Sequence, residues 1–270
     1  MSTQSNYCPR CGASVAAPLL PLDYWRCKRC YAVIPEHELV KKGNMIVGVG
    51  GRGAKGEITV RGGGLSTTHA TINNTISSTI TGLNVGDVVV FIVASHGASG
   101  IPTVVSGPVN AYTLVDEYHS NNQQQIVMYR GTVTQGGTQT SSATWATNSI
   151  PATAYTVVIT GALETPDATG HDNHNSVTAT VTSGITSYAG NKVAIGAAMC
   201  DADFANLTSI DSPFETLVLA AVNDQQSPPN ADLAVGYYKN NLQQAISFTA
   251  NITANNNVKN ATVIGVFTEQ

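Results

Sequence analysis

The chain has 270 residues, 42% of them hydrophobic and only 11% charged, with a net charge of −4. That charged share is under half the usual quarter; it argues against a free cytosolic enzyme and suits a surface of Ser, Thr, Asn and Gln, or one covered by neighbours. No apolar run reaches the roughly 18 residues that span a bilayer, and no basic-then-apolar leader opens the chain, so synthesis in a reducing cytoplasm is expected, without a signal peptide or membrane span.

Residues 1–43 carry a net +3 and the remainder −7. The first stretch holds two Cys-x-x-Cys pairs, Cys8/Cys11 and Cys27/Cys30, with fifteen residues between them. Two residues between cysteines let the backbone turn back on itself, so that both thiolates face one ion. A second such knuckle completes a tetrahedron with Zn–S near ~2.3 Å. In a reducing compartment this spacing favours a metal over disulfides. Four thiolates leave no open coordination position, so the expectation is one structural Zn²⁺ and no catalytic metal. Arg10, Lys28 and Arg29 lie within the knuckles and would offset its negative charge; Gly12 gives backbone freedom just after the first. Arg10, Trp25, Arg26, Lys28 and Arg29 are the candidate partner contacts. The acidic remainder of the chain argues against nucleic acid as that partner. The stretch 35–43, from Pro35 to Gly43, has the punctuation of one or two helical turns.

Residues 48–64 contain eight glycines in seventeen positions, read as a flexible joint with a short strand at 57–61. No Gly-x-x-x-x-Gly-Lys-Ser/Thr frame is present, so this is not a phosphate loop. From about residue 70 the texture is β. Runs rich in Val, Ile, Thr and Tyr occur at 87–95, 102–106, 111–118, 124–133, 154–161, 176–181, 192–200, 215–223, 231–239, 245–252 and 261–268, separated by Gly, Pro, Asn and Asp clusters. No helical period is sustained. The reading is an all-β chain: a small N-terminal module (1–43), a Gly-rich linker or arm (44–70) and a large antiparallel β-sandwich (71–270), with jelly-roll connectivity as one option. The strongly apolar strands 87–95 and 215–223 are expected at sheet centres, where cover on both faces removes alternation. The segments 87–130 and 215–239 share an apolar strand, a turn and a Tyr-bearing strand, read as ordinary meander similarity and not as a repeat.

Other chemistry-bearing residues have bland readings. Cys200 ends an apolar strand and reads as a buried small hydrophobe. Asp167, His171, Asp172 and His174 sit in an expected loop, 167–175, where an ion is the alternative to plain turn chemistry. His96 opens a Gly-rich turn. The pairs Asp116–Glu117 and Asp201/Asp203 invite a glycosidase reading that needs a cleft the sequence cannot show. Tyr112, Tyr118, Tyr129, Tyr155, Tyr237 and Tyr238 are taken as packing residues first and as a sugar platform second.

The stretch "YCPRCG…YWRCKRCYAVIP" resembles the zinc-ribbon family over about 30 residues. The resemblance implies two hairpin knuckles and a short sheet, with Tyr7, Trp25 and Tyr31 around the metal. So short a segment would draw much of its folding energy from the metal. The runs "VGDVVVFIVASHG", "NAYTLVDEY", "QQIVMYRGTV" and "NATVIGVFTE" resemble a β-sandwich type of phage and other virion structural proteins. That resemblance implies a non-enzymatic capsid cement or decoration protein, or a tail-associated one, assembled in the host cytoplasm and located in the virion. Its partners would be other structural subunits, in a homo-oligomer or a capsid or tail lattice. The alternatives are a glycan- or ligand-binding surface module and a zinc-ribbon nucleic-acid-associated protein.

Overall fold

The computed structural model describes strand segments of the first 56 residues and then residues 57–68, 74–97, 100–106, 111–120, 124–146, 151–176, 178–186, 190–200, 206–220, 231–241, 243–253 and 259–269. The chain divides into two units, Met1–Gly56 and Glu57–Gln270. In the first, Val15–Pro18 (β2), Tyr24–Cys27 (β3) and Val33–Pro35 (β4) form an antiparallel sheet with β3 in the middle, and Asn6–Tyr7 (β1) pairs with Val40–Lys41 (β5). Pro35 thus closes a strand and Val40–Lys41 is extended, where one or two helical turns were expected; residues 36–39 and 42–43 lie outside the described residues.

The second unit consists, among the described residues, of sixteen strands and no helix. The first eight are Thr59–Thr68 (β6), Thr75–Leu83 (β7), Val88–His96 (β8), Thr103–Ser106 (β9), Thr113–His119 (β10), Gln124–Thr132 (β11), Gly137–Thr144 (β12) and Ala152–Thr160 (β13). The second eight are Ala168–Asn175 (β14), Thr178–Thr182 (β15), Lys192–Cys200 (β16), Asn206–Ile210 (β17), Glu215–Ala220 (β18), Asp232–Asn240 (β19), Ser247–Thr253 (β20) and Lys259–Thr268 (β21). The first set makes sheets β10-β11-β8-β13-β6 and β7-β12-β9; the second makes β14-β21-β16-β19-β18 and β15-β20-β17. Numbered within its own set, each eight has the same pairings: first with eighth, second with seventh, third with sixth, and the fifth beside the sixth. Such nested pairing is that of a rolled-up hairpin, the jelly-roll arrangement, with the fifth strand moved to the larger sheet. The body is therefore an internal duplication. Its true equivalents are β8 with β16 and β11 with β19; the likeness of 87–130 to 215–239 matched β8 with the wrong strand.

Each five-stranded sheet is covered on both faces. Phe91, Val93, Val127 and Tyr129 face Ile76, Ala143 and Trp145 of the first three-stranded sheet. Ala194, Ala198 and Ile264 face Phe248 and Ala250 of the second. Val88, Val90, Ile92 and Met128 share one core with Val193, Ile195, Leu233 and Val263, which joins the two large sheets. The result is four layers, of three, five, five and three strands. Cover on both faces explains the unbroken apolar run of β8, which is buried along its length to Ser95. The same expectation fails for 215–223 where it is described, at 215–220: β18 lies at a sheet edge with Ala220 alone buried, and the central strand of that sheet is β16, buried throughout. Its Ala- and Gly-rich sequence hid this, because it holds fewer bulky branched side chains than 215–223. Gly196 of β16 is small for a reason: a Cβ there would lie 2.3 Å from the Phe248 ring.

Across the middle of the stack β10 lies against β14, β11 against β21 and β16, β13 against β19 and β6 against β18. In set numbering, the order fifth-sixth-third-eighth-first faces first-eighth-third-sixth-fifth. That reversal is the mark of a two-fold axis running between the sheets and along the strands. Lys239, paired with Val193 at the start of β16, meets Glu57, just ahead of the strand that pairs with the end of β13. β8 and β16 thus start at the same end, as this axis requires. That end, the base, receives the chain at Glu57 and bears the turn 84–87 and residues 183–186 and 190–191. The other end, the tip, is where β8 and β16 finish.

Candidate functional site

At the tip of the first half a buried polar network ties the turn after β8 to the sheet. Ser95 Oγ donates to Gln125 Oε1 (3.1 Å), Trp145 Nε1–H donates to the same oxygen (2.9 Å), and Gln125 Nε2 donates to the Gly100 carbonyl (3.1 Å). The Tyr129 hydroxyl donates to the Pro102 carbonyl at 2.9 Å, and burial raises its pKa. The Gly100 N–H reaches His119 Nε2 at 3.4 Å. Lower in the same half Tyr112 lies within 2.6 Å of Ser141 Oγ and accepts from Gln139 (2.8 Å), and burial pushes its pKa up to about 12.

The equivalent tip positions of the second half are Cys200 and Asp232, register partners that match His96 and Gln124. Cys200 is buried, as its apolar strand implied, with Sγ 3.7 Å from Asp232 Oδ2. Asn260 stands across from Cys200 on β21, buried, its Nδ2 donating to the Ser176 carbonyl at 2.9 Å.

The most chemically varied cluster lies where β10 meets β14. Asp116 Oδ1 is 2.7 Å from His171 Nδ1 and also accepts the Glu117 N–H at 2.8 Å. Tyr118 packs beside the His171 ring, centroids 6.5 Å apart. One Glu117 carboxylate oxygen, Oε2, is shielded from solvent and accepts no hydrogen bond. Burial chiefly raises the Glu117 pKa, with Asp116 adding to the rise and His119 and His171 opposing it.

Extended geometry decides what this cluster can do. Asp116 and Glu117 are consecutive in a strand and point to opposite faces. Asp116 pairs with Met128 in the direction of the second half; Glu117 pairs with Val127 on the face toward the small sheet. They do not converge as the acid and base of a glycosidase. His171 and Asp172 likewise alternate, because the expected loop at 167–175 is the edge strand β14. The clasp between Asp116 and His171 therefore joins the two halves of the body. Among the described residues no group of three or more His, Cys, Asp or Glu is placed to hold a metal ion. The aromatics divide among faces: Tyr112 stacks on Phe91, Tyr238 on Phe214, and Tyr155 and Tyr237 lie against the central core. Core packing, not a common platform, is what unites them.

Cys8, Cys11 and Cys30 lie outside the described residues, as do Arg10, Lys28 and Arg29. Cys27, Trp25 and Arg26 are placed by backbone only, on β3, where Cys27 pairs with Val15 and Trp25 with Ile34. His69, Asp201 and Asp203 are also outside. The sequence singled out Asp116 and His171 separately but gave no sign of their pairing, since they are 55 residues apart. A second unread feature, the turn at 84–87, did have one, the Gly86–Asp87 pair ahead of β8. Among the described residues no helix is long and apolar enough to cross a membrane. No family model, no curated protein and no solved structure matches this chain.

Proposed function

We propose that the chain is a non-enzymatic structural protein of a macromolecular assembly of the virion type, a capsid cement or decoration protein or a tail-associated one. In this reading Cys8, Cys11, Cys27 and Cys30 hold one structural Zn²⁺. The ribbon so formed and the part of the Gly-rich arm ahead of Glu57 dock on neighbouring subunits; Thr59–Thr68, read as part of that arm, is instead the first strand of the body. The supporting observation is the body itself: two jelly-roll halves stacked face to face about one shared core, an architecture devoted to packing. A doubly covered pair of central sheets also gives a stiff body, since interiors packed at crystal-like density resist deformation. The donor set fits the ion: thiolates at Cys-x2-Cys spacing suit zinc, and full thiolate ligation suits a structural site.

Two measurements test this. Imaging of native particles from producing cells should show the body standing on a lattice through its N-terminal unit; a protein found only free and monomeric, absent from any particle, refutes the role. Metal analysis should give about one zinc per chain, the ratio of a single tetrathiolate site. Cys27→Ser should lose both the zinc and the order of residues 1–40 while leaving the body folded. A metal-free chain with residues 1–40 intact overturns the ribbon.

A further inference from the structure

Lys192 opens β16 and is 1% exposed, the one cation among the largest fully buried side chains of the described residues. A lysine is seldom taken wholly out of water. Its position puts an electrophile beside it. In the antiparallel pair of β16 and β19, Lys192 stands directly across from Asn240, which is 8% exposed. Directly opposed residues share a face, with Cβ atoms roughly 4.5–5.5 Å apart. The next pair along, Ala194 and Tyr238, packs with Phe248 of β20. Side chains two residues apart point the same way, so Lys192 and Asn240 both lie under the small sheet of the second half.

The head groups are placed as well. Lys192 Nζ donates to the Gly190 carbonyl at 3.4 Å, and the Gly190 N–H donates to the Asn241 carbonyl at 3.3 Å. The amine is thus held at the base, beside the strand end that carries Asn240. On Asn240 the amide nitrogen Nδ2 is shielded from solvent and donates no hydrogen bond. Both residues make further interactions; what matters is their juxtaposition in a buried, fixed site.

We infer that Lys192 and Asn240 are joined by an isopeptide bond that the folded chain forms on itself. Nζ of the free amine bonds to Asn240 Cγ, and the Cγ–Nδ2 bond breaks. One proton passes from Nζ to Nδ2, which leaves as ammonia. Nothing is oxidised or reduced, and no co-reactant is consumed. Folding favours the step because it turns an encounter between two groups into a reaction within one site. The product is a neutral amide, which removes the cost of keeping a charge out of water. It also ties two inner strands of the five-stranded sheet and closes a loop that the unfolded chain cannot open, the way a disulfide does. Such a tie goes beyond the structural role proposed above and is tested apart from it, on purified chain with no particle present.

The experiment is intact-mass spectrometry of the full-length chain, denatured, reduced and freed of metal, with a proteolytic digest to locate any joint. Wild type should be lighter than its sequence by one ammonia, and the digest should yield one branched peptide linking Lys192 to Asn240. Lys192→Arg and Asn240→Ala should each show the full mass of their sequences. Wild type at full mass overturns the inference, whether or not the variants fold. So does a lost ammonia that persists in either variant or maps to another residue, as ring closure at a different asparagine would.

Discussion

Glu117 is a single residue whose environment sets a sign. Burial lifts its pKa above the ordinary 4.5, so the folded chain holds the proton more tightly than the unfolded chain does. Stability from this group is complete below the ordinary carboxyl range and is lost as pH rises through the raised folded value. At neutral pH the carboxylate is a cost, borne next to Asp116 and unrelieved at Oε2. Glu117→Gln should therefore raise the denaturation midpoint at pH 7 and flatten the fall in stability that the wild type shows as pH rises above the ordinary carboxyl range. A variant less stable than wild type at pH 7, or one with the same slope, would show that His119 and His171 compensate the charge in full. The clasp beside it is weaker. His171 is about half exposed, and ion pairs of that kind contribute ~0.2–1 kcal/mol.

At the scale of elements, hydropathy read strands well where burial is apolar and poorly where it is not. β8, β11, β16 and β19 were legible because each holds an apolar stretch of strand length between turn residues. β7, β12, β14 and β17 were not. The inward positions of β12 are Gln139, Ser141 and Ala143, so a buried face left no apolar alternation, and β14 carries the His and Asp pattern of a turn. Rank within a sheet was misread because bulk was taken for burial: 215–223 carries Leu217, Val218, Leu219 and Val222 where 192–200 has only Val193 and Ile195 as branched aliphatics, yet it is the edge. Mutational cost follows burial and not hydropathy. Ile195→Ala in β16 removes a side chain buried in the core between the halves and should cost about 2–5 kcal/mol. Leu219→Ala in β18, 38% exposed, should cost under ~1 kcal/mol. Urea unfolding of the two variants measures both; the reverse order would restore 215–223 to the centre.

For the whole molecule the question is whether the duplication makes two domains or one. Each half has its own small-sheet core, around Phe91 and Trp145 in one and around Phe248 in the other. The largest core belongs to neither half alone, because Val90, Ile92 and Met128 of the first pack with Ile195, Leu233 and Val263 of the second. Separating the halves would expose one full face of both five-stranded sheets, and apolar area costs about 25 cal/mol per Å² in water. Neither half has a hydrophilic face to present there. The body should therefore unfold as one cooperative unit. The chain carries a probe for each half: Trp145, buried in the first, and Cys200, buried in the second. With Trp25→Phe to silence the N-terminal indole, Trp145 fluorescence and mass-resolved alkylation of Cys200 should report the same denaturant midpoint and the same slope. Distinct midpoints would mean that the central interface is weaker than the two outer cores, and that the body is a tethered pair of sandwiches with a hinge where the four-layer stack requires none.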